Sequence, residues 1–156
     1  MPNIGQTAPD FTLNDQQGNP VKLSDLLSGG DLILYFYPAD FSPGCTVEAC
    51  TFRDNYNDIQ DVGARIVWIS SQGVASHARF SKRFNIPFPL LSDPSKQVVK
   101  AYGVNGLMGL GVRRGTFLMN AKGIVQNRVI TDISINSHTK LIKETVRRGK
   151  VETIYI

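Results

Sequence analysis

Cysteine is scarce in this chain: its 156 residues include two, Cys45 and Cys50, beside two histidines, His77 and His138. A disulfide-stapled secreted scaffold needs more thiols than that. A four-ligand zinc site is also short of donors, because the histidines are distant from the cysteines and unpatterned. Nor do the cysteines have the C-x-x-C spacing of a redox dithiol; here it is C-x-x-x-x-C. Long apolar runs are missing too, and nothing approaches the roughly 18 to 20 uncharged residues that a membrane span requires. The first residues, Met1-Pro2-Asn3-Ile4-Gly5, show neither a basic n-region nor an apolar h-region, so the expectation is a cytoplasmic protein without a membrane partner. Charge of one sign is also lacking: 17 Lys+Arg against 13 Asp+Glu leave a net +4. Apart from a short basic stretch at 147–150 the basic residues are scattered, whereas a nucleic-acid partner asks for clustered cations with aromatics between them.

What is present is globular composition, 42% hydrophobic and 19% charged, with no internal repeat, low-complexity segment or linker. One domain over residues 1–156 is expected. Residues 11–13 and 21–23 read as a hairpin about a turn at 15–20, and Ser24 as the cap of a short helix ending before Gly29-Gly30. Residues 31–37 are continuously apolar and aromatic after Asp31, the pattern of a strand buried on both faces. A loop at 38–44 leads to an expected helix over 45–60, whose seam Cys45, Ala49, Phe52, Tyr56 and Ile59 is spaced four, three, four, three. A second buried strand at 64–70 precedes a helix at 74–85 and an extended stretch at 87–91. Asp93-Pro94 reads as the N-cap and first position of a helix ending near Gly103. Residues 115–119 and 124–130 form a second hairpin, and Ser137 begins a last helix with Leu141, Ile142, Thr145 and Val146 inward. Residues 150–156 alternate like an edge strand. This order predicts an α/β sandwich with a parallel and an antiparallel half.

The chemistry concentrates at Cys45. Its loop leaves the C-terminal end of a buried strand, the edge at which open α/β sheets bind ligands. The sulfur falls in the first turn of the next helix, where unpaired N–H groups and the positive dipole end favour an anion. A free thiol is only a few per cent ionised at neutral pH, and making it mostly thiolate takes about two pKa units, roughly 3 kcal/mol. A helix end supplies about 1, up to about 2 kcal/mol, so a second cation is required. Arg53, Arg113 and Arg114 are the candidates, and strand alternation sends the last two to opposite faces. Ser42 adds a hydroxyl three residues before the sulfur, and Pro38 and Pro43 stiffen the loop. Glu48 is read as electrostatic support for the arginine or the helix start. Arg53 stays open between that network and a solvated position. His77 and His138 are read as surface helix residues; Trp68, Tyr35, Phe36 and Tyr37 are read as core.

Pro38-x-x-x-Ser42-x-x-Cys45 resembles the peroxiredoxin active-site motif. The run from Tyr35-Phe36-Tyr37-Pro38 to Pro43-Gly44-Cys45-Thr46-x-Glu48-Ala49-Cys50 is similar to the peroxiredoxin Q, or bacterioferritin comigratory protein, subfamily of the AhpC/TSA family. The likeness continues through Leu91-Ser92-Asp93, Tyr102-Gly103-Val104 and Arg114-x-x-Phe117-Leu118. One departure is the segment between Val104 and Arg114, shorter and richer in glycine than the subfamily's usual loop. The resemblance implies a thioredoxin-like fold, a central mixed sheet flanked by helices behind an N-terminal hairpin extension. It implies reduction of hydrogen peroxide and organic hydroperoxides, without cofactor or metal, by peroxidatic Cys45 and resolving Cys50. It further implies that Pro38, Ser42 and Arg114 complete the site; the expected reductant is thioredoxin or a similar dithiol, and the expected assembly a monomer or weak homodimer.

Five helical residues advance about 7.5 Å and turn about 140°, which sets the two Cα atoms about 8 to 9 Å apart, beyond the roughly 7 Å limit of a disulfide. The helix therefore has to unwind at its start for Cys45 and Cys50 to bond. Gly44, Thr46 and Val47 make that turn a poor helix. Two rival readings stand beside this one: a thiol–disulfide oxidoreductase on the same fold, and a holdase whose cysteines only sense oxidation.

Overall fold

A computed structural model describes residues 1–131, 137, 138, 140–144 and 147. Its described residues build a seven-stranded sheet in the order β2-β1-β5-β4-β3-β6-β7. The strands are β1 Thr12–Asn14, β2 Pro20–Lys22, β3 Leu32–Phe36, β4 Arg65–Ser70, β5 Leu90–Ser92, β6 Gly115–Met119 and β7 Val125–Ile130. β3, β4 and β5 run parallel, β6 and β7 add antiparallel on the far side of β3, and the N-terminal hairpin joins β5 antiparallel through one residue pair. The helices are α1 Leu23–Leu27, α2 Pro43–Asp54, α3 Tyr56–Asp61, α4 Val74–Phe84 and α5 Gln97–Ala101. Residues 137, 138, 140–144 and 147 are helical as well, with Leu141 and Ile142 buried. Thr145, Val146 and the alternating residues 150–156 lie outside the described residues.

β3 is buried on both faces, and its alternation sorts the core into two clusters. Leu32, Leu34 and Phe36 pack with Leu23, Val99, Tyr102 and Phe117 on one side. Ile33, Tyr35 and Tyr37 pack with Cys45, Phe52, Trp68 and Phe80 on the other. The second side carries the aromatic group in which Tyr35 and Tyr37 lie 4.5 and 4.8 Å from the Trp68 ring centre.

Two helices differ most from their sequence-based bounds, and a third, α1, starts at Leu23 with Lys22 rather than Ser24 at its N-cap. The helix expected over 45–60 begins two residues earlier, with Pro43 at its first turn, and breaks at Asn55. Asn55 sits at φ −100°, ψ 5°, and its side-chain amide donates to the Thr51 carbonyl at 2.8 Å, so the side chain competes with the helical ladder. The helix expected from Asp93-Pro94 starts only at Gln97, after Lys96 in the left-handed region. Asp93 still serves it from a distance, its Oδ2 accepting from the Val99 N–H at 2.8 Å.

The glycine-rich segment after Val104 folds on itself, bridging Asn105 to Val112 about a single 3-10 turn, Leu107–Gly109. A side chain at Gly106 would collide with the Leu110 carbonyl oxygen, so that position has no room for a Cβ. Leu107, Met108 and Leu110 project outward, each at least 75% exposed.

Candidate active site

The chain leaves β3 at Phe36 and reaches α2 through Ser42, whose backbone is extended at ψ 146°. Ser42 occupies the N-cap but does not cap with its side chain. Its Oγ donates instead to the Ala39 carbonyl at 3.0 Å, while its own carbonyl accepts the Thr46 N–H at 2.9 Å. Pro43 then takes the first helical position, where its missing N–H costs nothing. Cys45 follows in the first turn, at the dipole's positive end and with no acid there to compete for it. The thiol is fully enclosed, packed with Tyr37, Ala49 and Phe52 on the α2 side of the sheet. Cys50 is half-buried, lies in the same unbroken helix, and both cysteines are free thiols.

A cation stands beside this turn. Arg114 immediately precedes β6, whose pairing puts Gly115 against Phe36 and Thr116 against Tyr35. The same alternation that buries Leu118 with the Cys45 cluster turns Arg114 to that side. Arg114 is 8% exposed; its Nη1 donates to the Tyr35 hydroxyl at 3.0 Å and lies 3.8 Å from Glu48 Oε1. Burial works to lower its pKa, but Tyr35, Cys45 and Glu48 outweigh that and hold it above its ordinary value. Arg113 lines a cavity of about 650 Å³ together with Pro38, Leu107, Met108, Leu110 and Val112. Cys45 is not among the residues lining it. Arg53, left open by the sequence, ties α2 to the end of α4: Nη1 donates to the Phe84 carbonyl at 2.7 Å and Nε pairs with Asp54 at 3.1 Å.

Glu48, one turn after Cys45, is buried on the same face, and among the described residues no hydrogen-bond partner in good geometry reaches either carboxylate oxygen. Burial pushes its carboxyl up to about 7, with the adjacent Tyr35 hydroxyl and Arg114 guanidinium drawing it the other way. Burial, then the Glu48 charge, raises the Tyr35 hydroxyl well above its usual range.

The histidines are not on the surface. His77 and His138 are both fully buried, which corrects the sequence expectation. His77 Nδ1 faces Asp40 Oδ2 at 2.7 Å and its Nε2 faces the Leu91 carbonyl at 3.1 Å. His138 spans Thr116 Oγ1 at 2.7 Å and the Thr131 carbonyl at 3.1 Å, with Tyr35 edge-on to its ring. Each ring is buried because both its nitrogens find partners inside. The signal was available for His77, which stands three residues before Phe80 and seven before Phe84, on one helical face. Sequence reasoning also passed over Asp40 and the polar end of Tyr35. The strand alternation that pairs Tyr35 with Tyr37 already put both on one side.

A model of the AhpC/TSA family matches residues 4–128. The chain belongs to that family. Among its relatives, peroxiredoxin Q of the chloroplast of Sedum lineare is 46% identical over 78% of this chain and 66% of its own length. A putative peroxiredoxin bcp of Coxiella burnetii is 39% identical over 86% of this chain and 92% of its own. The chain thus spans about two thirds or less of the length of the plant relatives, 57% for that of Arabidopsis thaliana and 56% for that of Triticum aestivum. Of solved structures, peroxidoxin BcpB from Mycobacterium tuberculosis superposes with a TM-score of 0.88 at 38% identity, covering 95% of this chain and 98% of that one. The bacterioferritin comigratory protein of Xanthomonas campestris gives 0.80 at 27% identity over 89% and 92%. The AhpC/TSA chain has the thioredoxin-like fold that its sequence resemblance implied: a mixed sheet between helices, with the hairpin of β1 and β2 at one edge.

Proposed function

We propose that the protein is a thiol peroxidase that reduces hydrogen peroxide and organic hydroperoxides through Cys45. One observation carries the reading: a cysteine in the first turn of a helix that lacks a side-chain cap, with the Arg114 guanidinium in electrostatic reach. A helix N-terminus and a guanidinium are both charge sources that favour an anion beside them. The names of the peroxiredoxin Q and bcp relatives support the same reading. Pro38 and Ser42 shape the loop, Arg114 steadies thiolate and peroxide oxygen, and Glu48 holds Arg114. The cavity beside Pro38 offers room for the organic part of an alkyl hydroperoxide.

In the cycle, the Cys45 thiolate attacks the O–O bond; the sulfur is oxidised to sulfenic acid, and the distal oxygen takes up a proton and leaves as water or alcohol. The Cys50 thiol then condenses with the sulfenic acid, forming an S–S bond and releasing water. Because both cysteines lie in α2, the first turn opens for this step and rewinds afterwards. A dithiol, thioredoxin or one like it, reduces the disulfide by exchange and is itself oxidised. A cytoplasmic setting accords with that step, since a reducing compartment keeps such dithiols reduced.

Cys45→Ser abolishes peroxide turnover in an assay coupled to thioredoxin, whereas Cys50→Ser consumes about one equivalent of peroxide and stalls. Sustained turnover by the Cys50→Ser protein removes Cys50 from the cycle. Insulin reduction without peroxide consumption by the unaltered protein replaces this reading with that of a disulfide oxidoreductase.

A further inference from the structure

The peroxidase reading uses the far side of the Cys45 turn, toward Arg114. It leaves unused a buried polar array on the near side, where the loop of residues 38–42 meets α4. Asp40 is its centre. Oδ1 accepts from the Tyr37 hydroxyl at 2.6 Å; Oδ2 accepts from Ser76 Oγ at 2.8 Å and lies 2.7 Å from His77 Nδ1. The Asp40 backbone N–H donates to Gln72 Oε1, and the Gln72 carbonyl in turn accepts from Ser92 Oγ. His77 reaches across to the β5 carbonyl of Leu91, with Ser70 Oγ at 3.4 Å from the same nitrogen. One carboxylate thus links the loop to α4 and to Tyr37 at the end of β3, and through His77 to β4 and β5.

A second observation points the same way. The next residue, Phe41, is bulky and yet sits at φ +65°, a conformation such a side chain adopts only when its surroundings enforce it. Its ring packs edge-on to Phe80, 5.2 Å between centres, and against Phe84 at 6.1 Å, both on α4. Residues 40 and 41 are therefore held from α4 twice, by a charged hydrogen-bond cluster and by an aromatic contact. At Ser42 that hold gives way to local bonds, its Oγ to the Ala39 carbonyl and its own carbonyl to the Thr46 N–H, and the helix start has no side-chain cap. α2 is tied to α4 again toward its far end, where Arg53 donates to the Phe84 carbonyl.

We propose that His77 is a positioning residue for the peroxide step: through Asp40 it pins the Cys45 loop to α4 and β5, so that opening of α2 begins at Ser42 and the pocket re-forms in one geometry. This rests on the assignment of Cys45 as the attacking thiol. Loss of the pin loosens the folded pocket while leaving the opened state, in which Cys50 acts, free to form. The peroxide step is therefore slowed while the disulfide step is not.

The test follows both steps by rapid mixing in the full-length protein, with hydrogen peroxide as oxidant. His77→Gln, which cannot span Asp40 and Leu91 together, slows oxidation of Cys45 by about tenfold or more, since small misplacements of a reacting group are costly. Disulfide formation from the sulfenic acid keeps its rate or quickens. Ser76→Ala removes one donor to the same carboxylate and gives the same split at about two- to fivefold. If His77→Gln does not fold, as judged by circular dichroism, Ser76→Ala decides. Equal slowing of both steps, or no change in either, overturns the proposal. Peroxide turnover surviving in Cys45→Ser would instead remove the assignment beneath it, a result that either variant's rates cannot mimic.

Discussion

Asp40 and Glu48 are eight positions apart, on opposite sides of Cys45, and both carboxylates are fully removed from solvent. Their ionisation moves in opposite directions. Burial works against the Asp40 charge, yet hydrogen bonds from His77, Tyr37 and Ser76 prevail and hold its carboxyl below the usual value. Glu48 experiences the same burial with an ion-pair distance of 3.8 Å and, among the described residues, no well-formed hydrogen bond, and its carboxyl rises to about 7. Desolvation is common to both; donors at good geometry separate them. The Asp40 side of the site is a fully satisfied network, which rigidifies, whereas the Glu48 side is incompletely satisfied and lies in the helix that has to open.

The comparison breaks most visibly at Asp40. Asp40→Ala takes away the acceptor shared by the His77 ring and the Tyr37 and Ser76 hydroxyls, and a buried polar group left without its partner costs about 1–3 kcal/mol. Urea denaturation at neutral pH is the measurement. A loss below about 1 kcal/mol would mean that the Asp40 network contributes no more than an ordinary surface pair.

Glu48 sharpens the contrast through pH. In the unfolded chain its carboxyl ionises near 4.5 and in the folded protein near 7, so between those values the folded state binds the extra proton. Stability from this group therefore falls as pH rises through that window, reaching a penalty of about 3 kcal/mol above it. Glu48→Gln removes the titration. Its stability relative to the unaltered protein improves by about that amount from about pH 5 to about pH 8, read from denaturation midpoints at each pH. A difference that stays constant across the range would show that Glu48 is ionised in the folded state throughout.

How far the sequence reached follows the same division. The buried strand at 32–36, the hairpin of β6 and β7 and the seam of α2 were legible because each rests on a period of two or 3.6 that survives in the sequence. Cys45, Pro38 and Ser42 were read as a motif; alternation sent Arg113 and Arg114 to opposite faces, and the likeness of Arg114-x-x-Phe117-Leu118 to the family chose between them. The break at Asn55 was not legible, since it depends on one amide choosing the Thr51 carbonyl. Nor was the burial of His77: a histidine reads as polar until the fold brings Asp40 and the Leu91 carbonyl, 37 and 14 residues away, to its two nitrogens. Long-range partners of a single polar side chain leave no periodic trace, and that is why the Arg114 side was expected and the Asp40 side was not.

The smallest effect tests whether the opening side is weak by its own composition. Val47 lies in the first turns of α2 and is 61% exposed, so its branched side chain contributes little packing while restricting the helix. Val47→Ala exchanges a poor helix former for the best one, a gain of about 0.5 kcal/mol. If disulfide formation between Cys45 and Cys50 waits on unwinding of this turn, that gain slows the step by about twofold and leaves oxidation of Cys45 unchanged. Rapid-mixing measurement of the two steps separates them. An unchanged disulfide rate would place the barrier elsewhere than in the first turns of α2, and with it the asymmetry between the two sides of Cys45 would lose its kinetic meaning.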